Sequence, residues 1–128
     1  MISFEKFTAE DGIPVYLQIV RFIKRGVVSG AVKDGDEVPS RRVLSALLGL
    51  NPNTVQKAYR ILEEEKLMEN HAGAKSYMAV DTEAAARIRR ELLESDAAAV
   101  VKRLKEMGLT KAEAARLIET YWEEEENV

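Results

Sequence analysis

Between Ser40 and Arg60 stand side chains suited to gripping a nucleic acid: Arg41 and Arg42, then Asn53, Thr54, Gln56, Lys57 and Arg60. Lysine and arginine neutralise phosphates, and an arginine fork also matches the two acceptors on a guanine edge. Asparagine and glutamine carry a donor and an acceptor together, the pair an adenine edge complements, while threonine can touch a thymine methyl. Arg41 and Arg42 follow Ser40 at a predicted helix start, where positive charge gains nothing from the helix dipole. Cations at that end point to another use, namely phosphates or base edges. Lys57 and Arg60 are better placed for phosphates. Other chemistry is sparse. The chain has no Gly-Lys-Ser/Thr phosphate loop, no metal-spaced histidine set and no nucleophile elbow, so no enzyme is expected. With one histidine, His71, and no cysteine, neither a metal nor another cofactor is expected.

Such side chains need two short helices held at a fixed angle. Ser40 is a good N-cap, and Gly49 a good stop after an apolar helix running through Val43, Leu44, Leu47 and Leu48. Asn51 caps a second helix, with Pro52 at N1, where its missing N–H costs nothing. Leu50 and Val55 can close a hydrophobic staple at this entry. Two helices joined by a tight, glycine-containing turn form a helix-turn-helix. The second helix is predicted to run from Pro52 to about Lys66, burying Val55, Ala58, Tyr59 and Leu62 at i, i+3, i+4, i+7 spacing. Glu63, Glu64 and Glu65 at its C-terminal end oppose the dipole and would repel phosphate. The helix should therefore offer its N-terminal half to a polyanion and turn the other end away.

Residues 1–13 form an extended arm ending in a turn at Asp11-Gly12, and Pro14 at N1 opens a first helix to about Ser29. Ile19, Ile23 and Val27 recur every fourth residue there, with Tyr16, Val20 and Phe22 beside them, an amphipathic pattern. Gly30 ends it, and Lys33-Asp34-Gly35-Asp36 is a turn. Residues 67–70 and 76–80 read as two short strands around His71-Ala72-Gly73-Ala74, too short to stand alone. Asp81 or Thr82 caps a long helix to Met107, and Gly108 stops it. Thr110 and Glu113 make a capping box for a last helix. The fold class is thus mainly α with a small β-hairpin, divided into a DNA-binding domain at residues 1–80 and a helical segment at 81–128.

Charge supports that division. The chain of 128 residues carries net −3. Residues 1–13 hold one Lys against three acidic groups; residues 14–80 hold ten Lys+Arg against seven Asp+Glu; residues 81–128 hold eight against twelve. A basic excess coincides with the helix-turn-helix, and the acidic excess limits promiscuous phosphate binding. The start MISFEKF lacks the basic-then-apolar order of a secretory signal, and no apolar run approaches a membrane span. A cytoplasmic protein without a membrane partner is expected.

The order helix, helix-turn-helix, hairpin resembles the winged helix domain of GntR-type bacterial transcription regulators. The likeness runs from about Pro14 to Ala79 and rests on PVYLQI at 14–19, SGAVKDGDEVPS at 29–40 and NPNTVQKAYRILEEEKLM at 51–68. A short two-helix tail in place of a large ligand domain resembles the YtrA subfamily, whose tails mainly dimerise and whose members often repress transporter operons. The resemblance implies that Arg42, after Pro-Ser-x, contacts DNA, with Arg41 and Ser40 beside it. It places recognition contacts on Asn53, Thr54 and Gln56, phosphate contacts on Lys57 and Arg60, and wing contacts on His71, Gly73 and Lys75. Two features depart from the family pattern. Pro52 stands where many members carry arginine, and Lys75 replaces the second glycine of the wing.

The implied partner is double-stranded operator DNA, read as an inverted repeat by a homodimer. Ile88, Leu92, Val100, Leu104, Leu117, Ile118, Tyr121 and Trp122 lie on helices too short to build a second core, so a symmetric partner is expected to cover them. Tyr121 and Trp122 read as packing or interface residues rather than a ligand pocket. No effector is assigned. A protein-interaction module with a merely solvated basic face is the alternative, because fold does not imply function.

Overall fold

The first helix, α1 (Val15–Ser29), is built around the stripe of Ile19, Val20 and Ile23, all buried. Pro14 precedes it as N-cap rather than occupying N1; its carbonyl accepts from Leu17 and Gln18, which fixes its extended backbone outside the helix. The computed structural model describes residues 1–71 and 75–126. The predicted arm is part of the core. Ile2 and Phe4 are buried, the Ile2 amide donates to the Glu37 carbonyl, and Phe4 stacks on Phe22 with Phe7 edge-on to both. Gln18 holds the arm's other end, with Oε1 accepting from the Glu10 amide and Nε2 donating to the carbonyls of Glu10 and Ile13. After α1 the chain turns so closely that a Cβ on Gly26 would lie 2.5 Å from Val32 Cγ2.

β1 (Glu37–Val38) follows, then α2 (Arg41–Leu48), α3 (Pro52–Glu64), β2 (Met68–His71) and β3 (Lys75–Met78). The expected hairpin is one part of a three-stranded antiparallel sheet in the order β1-β3-β2. Its register pairs Val38 with Ser76, Glu37 with Tyr77 and Asn70 with Ser76. β1 is two residues long and runs into Pro39, so it has no periodicity to read. Asp34 secures the sheet's far end by accepting the Val80 amide at 2.7 Å.

α3 packs on α1, α2 and β2 through Val55, Ala58, Tyr59 and Leu62, the stripe its sequence predicts. α2 turns Leu44 and Ser45 inward, while Val43 and Leu47 are 54% and 65% exposed. Eight residues crossing another helix bury one face only, and Val43 and Leu47 share a second. α3 ends earlier than the sequence suggests. The Leu67 amide donates to the Leu62 carbonyl and the Lys66 amide to Glu63, a Schellman motif with Lys66 in the left-handed position at φ 62°.

α4 (Thr82–Glu106) is capped by Asp81, whose Oδ1 accepts the Ala84 amide, and α5 (Lys111–Glu126) opens with the predicted reciprocal bonds between Thr110 and Glu113. The chain divides into two compact units, Met1–Glu91 and Leu92–Val128, so the boundary falls inside α4 rather than before it. The reason is Ile88, only 2% exposed and part of the first unit. That burial corrects its expected place at a dimer interface, because no surface of it is left to offer. In the second unit no described side chain is buried, and Leu92 and Leu104 are half-buried. Val100, Leu117, Ile118, Tyr121 and Trp122 are exposed, as are Leu93, Val101 and Met107.

Candidate nucleic-acid interface

α3 presents an outer stripe opposite its buried one. Asn53, Gln56, Lys57 and Arg60 fall on that face, with half-buried Thr54 at the first turn. Asn51 anchors the start, its Oδ1 accepting the Asn53 amide at 2.8 Å, which leaves the Asn53 side chain free. The α2 start lies alongside because Tyr59, buried on α3, donates its hydroxyl to the Pro39 carbonyl at 2.6 Å. Burial raises the Tyr59 pKa well above the ordinary tyrosine range, so the phenol stays protonated and remains a donor.

Ser40 Oγ accepts the Val43 amide at 3.1 Å, the predicted cap. Ser40, Arg41, Arg42 and Gln56 line one groove with Asn70 and Ser76, the cross-strand pair of β2 and β3. Within it Arg41 Nη1 donates to Gln56 Oε1 at 3.1 Å. Arg42, Asn53 and Arg60 are exposed and make no side-chain hydrogen bond or ion pair among the described residues, so their donors are unspent. Sequence reasoning missed Asn70 and Ser76, which only the strand register brings here. It also turned Glu63 away from the site, whereas Glu63 lines this same groove. A carboxylate there repels any phosphate that approaches that end of the groove.

The remaining expected residues lie apart from the groove. Lys57 Nζ sits 4.8 Å from the centre of the Tyr16 ring, a cation–π contact that ties the α3 surface to α1. In the hairpin, His71 Nε2 lies 3.4 Å from Glu69 Oε2 and its ring 4.9 Å from that of Tyr77. Lys75 Nζ lies 3.5 Å from Glu37 Oε1. Both of these wing candidates therefore have a carboxylate neighbour. Gly73 lies outside the described residues. Among the described residues no cluster of His, Asp and Glu could hold a metal ion, and no helix is long and apolar enough to cross a membrane.

A helix-turn-helix backed by a third helix and flanked by a three-stranded sheet, with basic and amide side chains on its outer face, defines the winged helix class of DNA-binding regulators. Comparison with known proteins gives the family. Residues 15–77 match the family model described as bacterial regulatory proteins, gntR family. The chain is 33% identical over 110 residues to the uncharacterized HTH-type transcriptional regulator YhcF of Bacillus subtilis, covering 86% of this chain and 91% of that one. It is 42% identical over 65 residues to the HTH-type transcriptional repressor YtrA of the same organism, about half of each chain. A GntR family transcriptional regulator from Listeria monocytogenes superimposes with a TM-score of 0.74 at 26% identity, over 88% of this chain and 98% of that structure. This chain belongs to the GntR family, with likeness to its YtrA-type members. It is a DNA-binding transcription regulator and not an enzyme.

Proposed function

We propose that this protein is a cytoplasmic repressor that binds an inverted-repeat operator as a homodimer. In this reading α3 enters the major groove with Asn53, Thr54 and Gln56 toward base edges. Arg42 contacts DNA from α2, and Ser40, Arg41, Lys57 and Arg60 fix the position on the backbone, with His71, Gly73 and Lys75 of the wing as further contacts. The single observation that carries it is the trio of Arg42, Asn53 and Arg60 on α2 and the outer face of α3, exposed and with their side-chain donors unspent among the described residues. Dimerisation is assigned to residues 92–128. Its support is the second unit's apolar side chains, of which Tyr121 and Trp122 are 63% and 68% exposed. A symmetric copy would remove them from water. Likeness to the YtrA repressor supports repression, and the resemblance of the short tail adds a transporter operon as the regulated target.

Operator selection from randomised duplexes, with sedimentation of the protein alone, tests this. Enrichment of a two-fold symmetric site, with half-sites about 34 Å apart or a multiple of that, is the expected result. A monomer at micromolar concentration would refute the dimer. The competing module reading draws on the exposed Val43 and Leu47. Binding to a protein with no gel shift at low salt would select it.

A further inference from the structure

The contact between Arg41 and Gln56 fixes more than a position. A guanidinium carries donors only, so the group facing it on Gln56 has to be the amide oxygen. The Arg41 Nη1 to Gln56 Oε1 distance of 3.1 Å follows from that rule, because the reversed amide would set donor against donor. Gln56 is half-buried on α3, and Arg41 comes from the first turn of α2. The two helices are held together by the Tyr59 to Pro39 bond one turn away.

A free glutamine offers a base one donor and one acceptor, which is why it complements adenine at N6 and N7. Here one of the oxygen's two lone pairs is already taken by Arg41, and the positive guanidinium beside it opposes the approach of a second donor. We infer that Arg41 acts as a positioning residue that biases Gln56 toward donating, so that Gln56 selects guanine rather than adenine. The amide N–H groups and the remaining guanidinium donors have no hydrogen-bond partner among the described residues, and N7 and O6 of guanine are the base edge made of acceptors alone. Adenine and cytosine each bring an amino donor to that edge, which only the second lone pair of Gln56 Oε1, held against the guanidinium, is left to meet. The inference rests on the operator binding proposed above.

Site selection from a randomised duplex library, run on the full chain and on Gln56→Ala and Arg41→Met, tests it. The position whose preference flattens in Gln56→Ala is the one Gln56 reads. The wild-type chain is expected to prefer guanine over adenine there by roughly 5-fold or more, and Arg41→Met to gain adenine at that position alone. Because the readout is relative base preference, the lost charge of Arg41 does not enter it. Adenine in the wild-type site, a guanine preference unchanged in Arg41→Met, or no position altered by Gln56→Ala would each overturn the inference. A wild-type chain that selects no sequence would defeat operator binding itself, and is distinguishable because no position is then enriched in any of the three proteins.

Discussion

Tyr59→Phe removes one oxygen atom from the interior and nothing else. The hydroxyl is buried and donates to the Pro39 carbonyl at 2.6 Å, so the substitution leaves that carbonyl without its partner. Loss of a buried bond of this kind costs about 1–3 kcal/mol. In a chain of this size that corresponds to a Tm lower by about 4–12 °C. Urea unfolding followed by circular dichroism should show a lower midpoint with an unchanged slope, since the surface exposed on unfolding stays the same. A pH signature separates this cause from general loosening. Burial raises the folded-state pKa of Tyr59 above its unfolded value, which is about 10. The stabilisation is therefore complete below pH 10 and falls as pH rises beyond it, because the unfolded chain releases the proton first. Tyr59→Phe should lose that alkaline slope along with its stability at neutral pH. A variant as stable as the parent, or one with the same alkaline slope, would refute the role assigned to the bond.

Four further outcomes are expected. Arg42→Ala should weaken operator binding by about 1–3 kcal/mol if its fork spans a guanine edge, and unchanged affinity in a titration would remove Arg42 from the interface. Lys66→Gly should stabilise the protein by roughly 0.5–1 kcal/mol in urea titrations, since lysine occupies a left-handed position that glycine adopts without steric cost. Gly26→Ala should destabilise by about 1–3 kcal/mol, because its methyl would meet Val32; an unaltered melting curve would show that Val32 moves aside freely. Hydrogen bonds from Thr110 lower the Glu113 pKa, so the cap holds above the ordinary carboxylate range and is lost as pH falls through the lowered value. The Thr110 amide resonance should titrate with that depressed midpoint, and Glu113→Gln should abolish the titration.

Local signals made much of the regulator readable from its residues. Ser40, Asn51, Asp81 and Thr110 each cap a helix with their own side chains, a bond that spans two or three residues and so shows in the sequence. The α3 stripe is likewise a matter of spacing alone. What stayed hidden depends on distant partners. Ile2 and Phe4 look like an arm until Glu37 and Phe22 meet them, and β1 exists only because β3 lies alongside. Ile88 resembles the other apolar residues of α4 in type and spacing, and only tertiary packing separates it from those left exposed. In the candidate interface, residue types pointed to Arg41 and Gln56 separately. Their joining across two helices, and the arrival of Glu63, Asn70 and Ser76 in one groove, follow from helix crossing and strand register.

The docked opening residues carry a practical consequence for anyone altering the protein. Met1 is 72% exposed, so extra amino acids fused ahead of it have a clear path into solvent. Trimming has no such freedom. A variant lacking residues 1–4 would lose the ring stacked on Phe22 and the amide that Ile2 lends to Glu37, baring the aromatic face of Phe22 on α1. A tag placed ahead of Met1 is compatible with this packing, whereas one that replaces Ile2 and Phe4 is not.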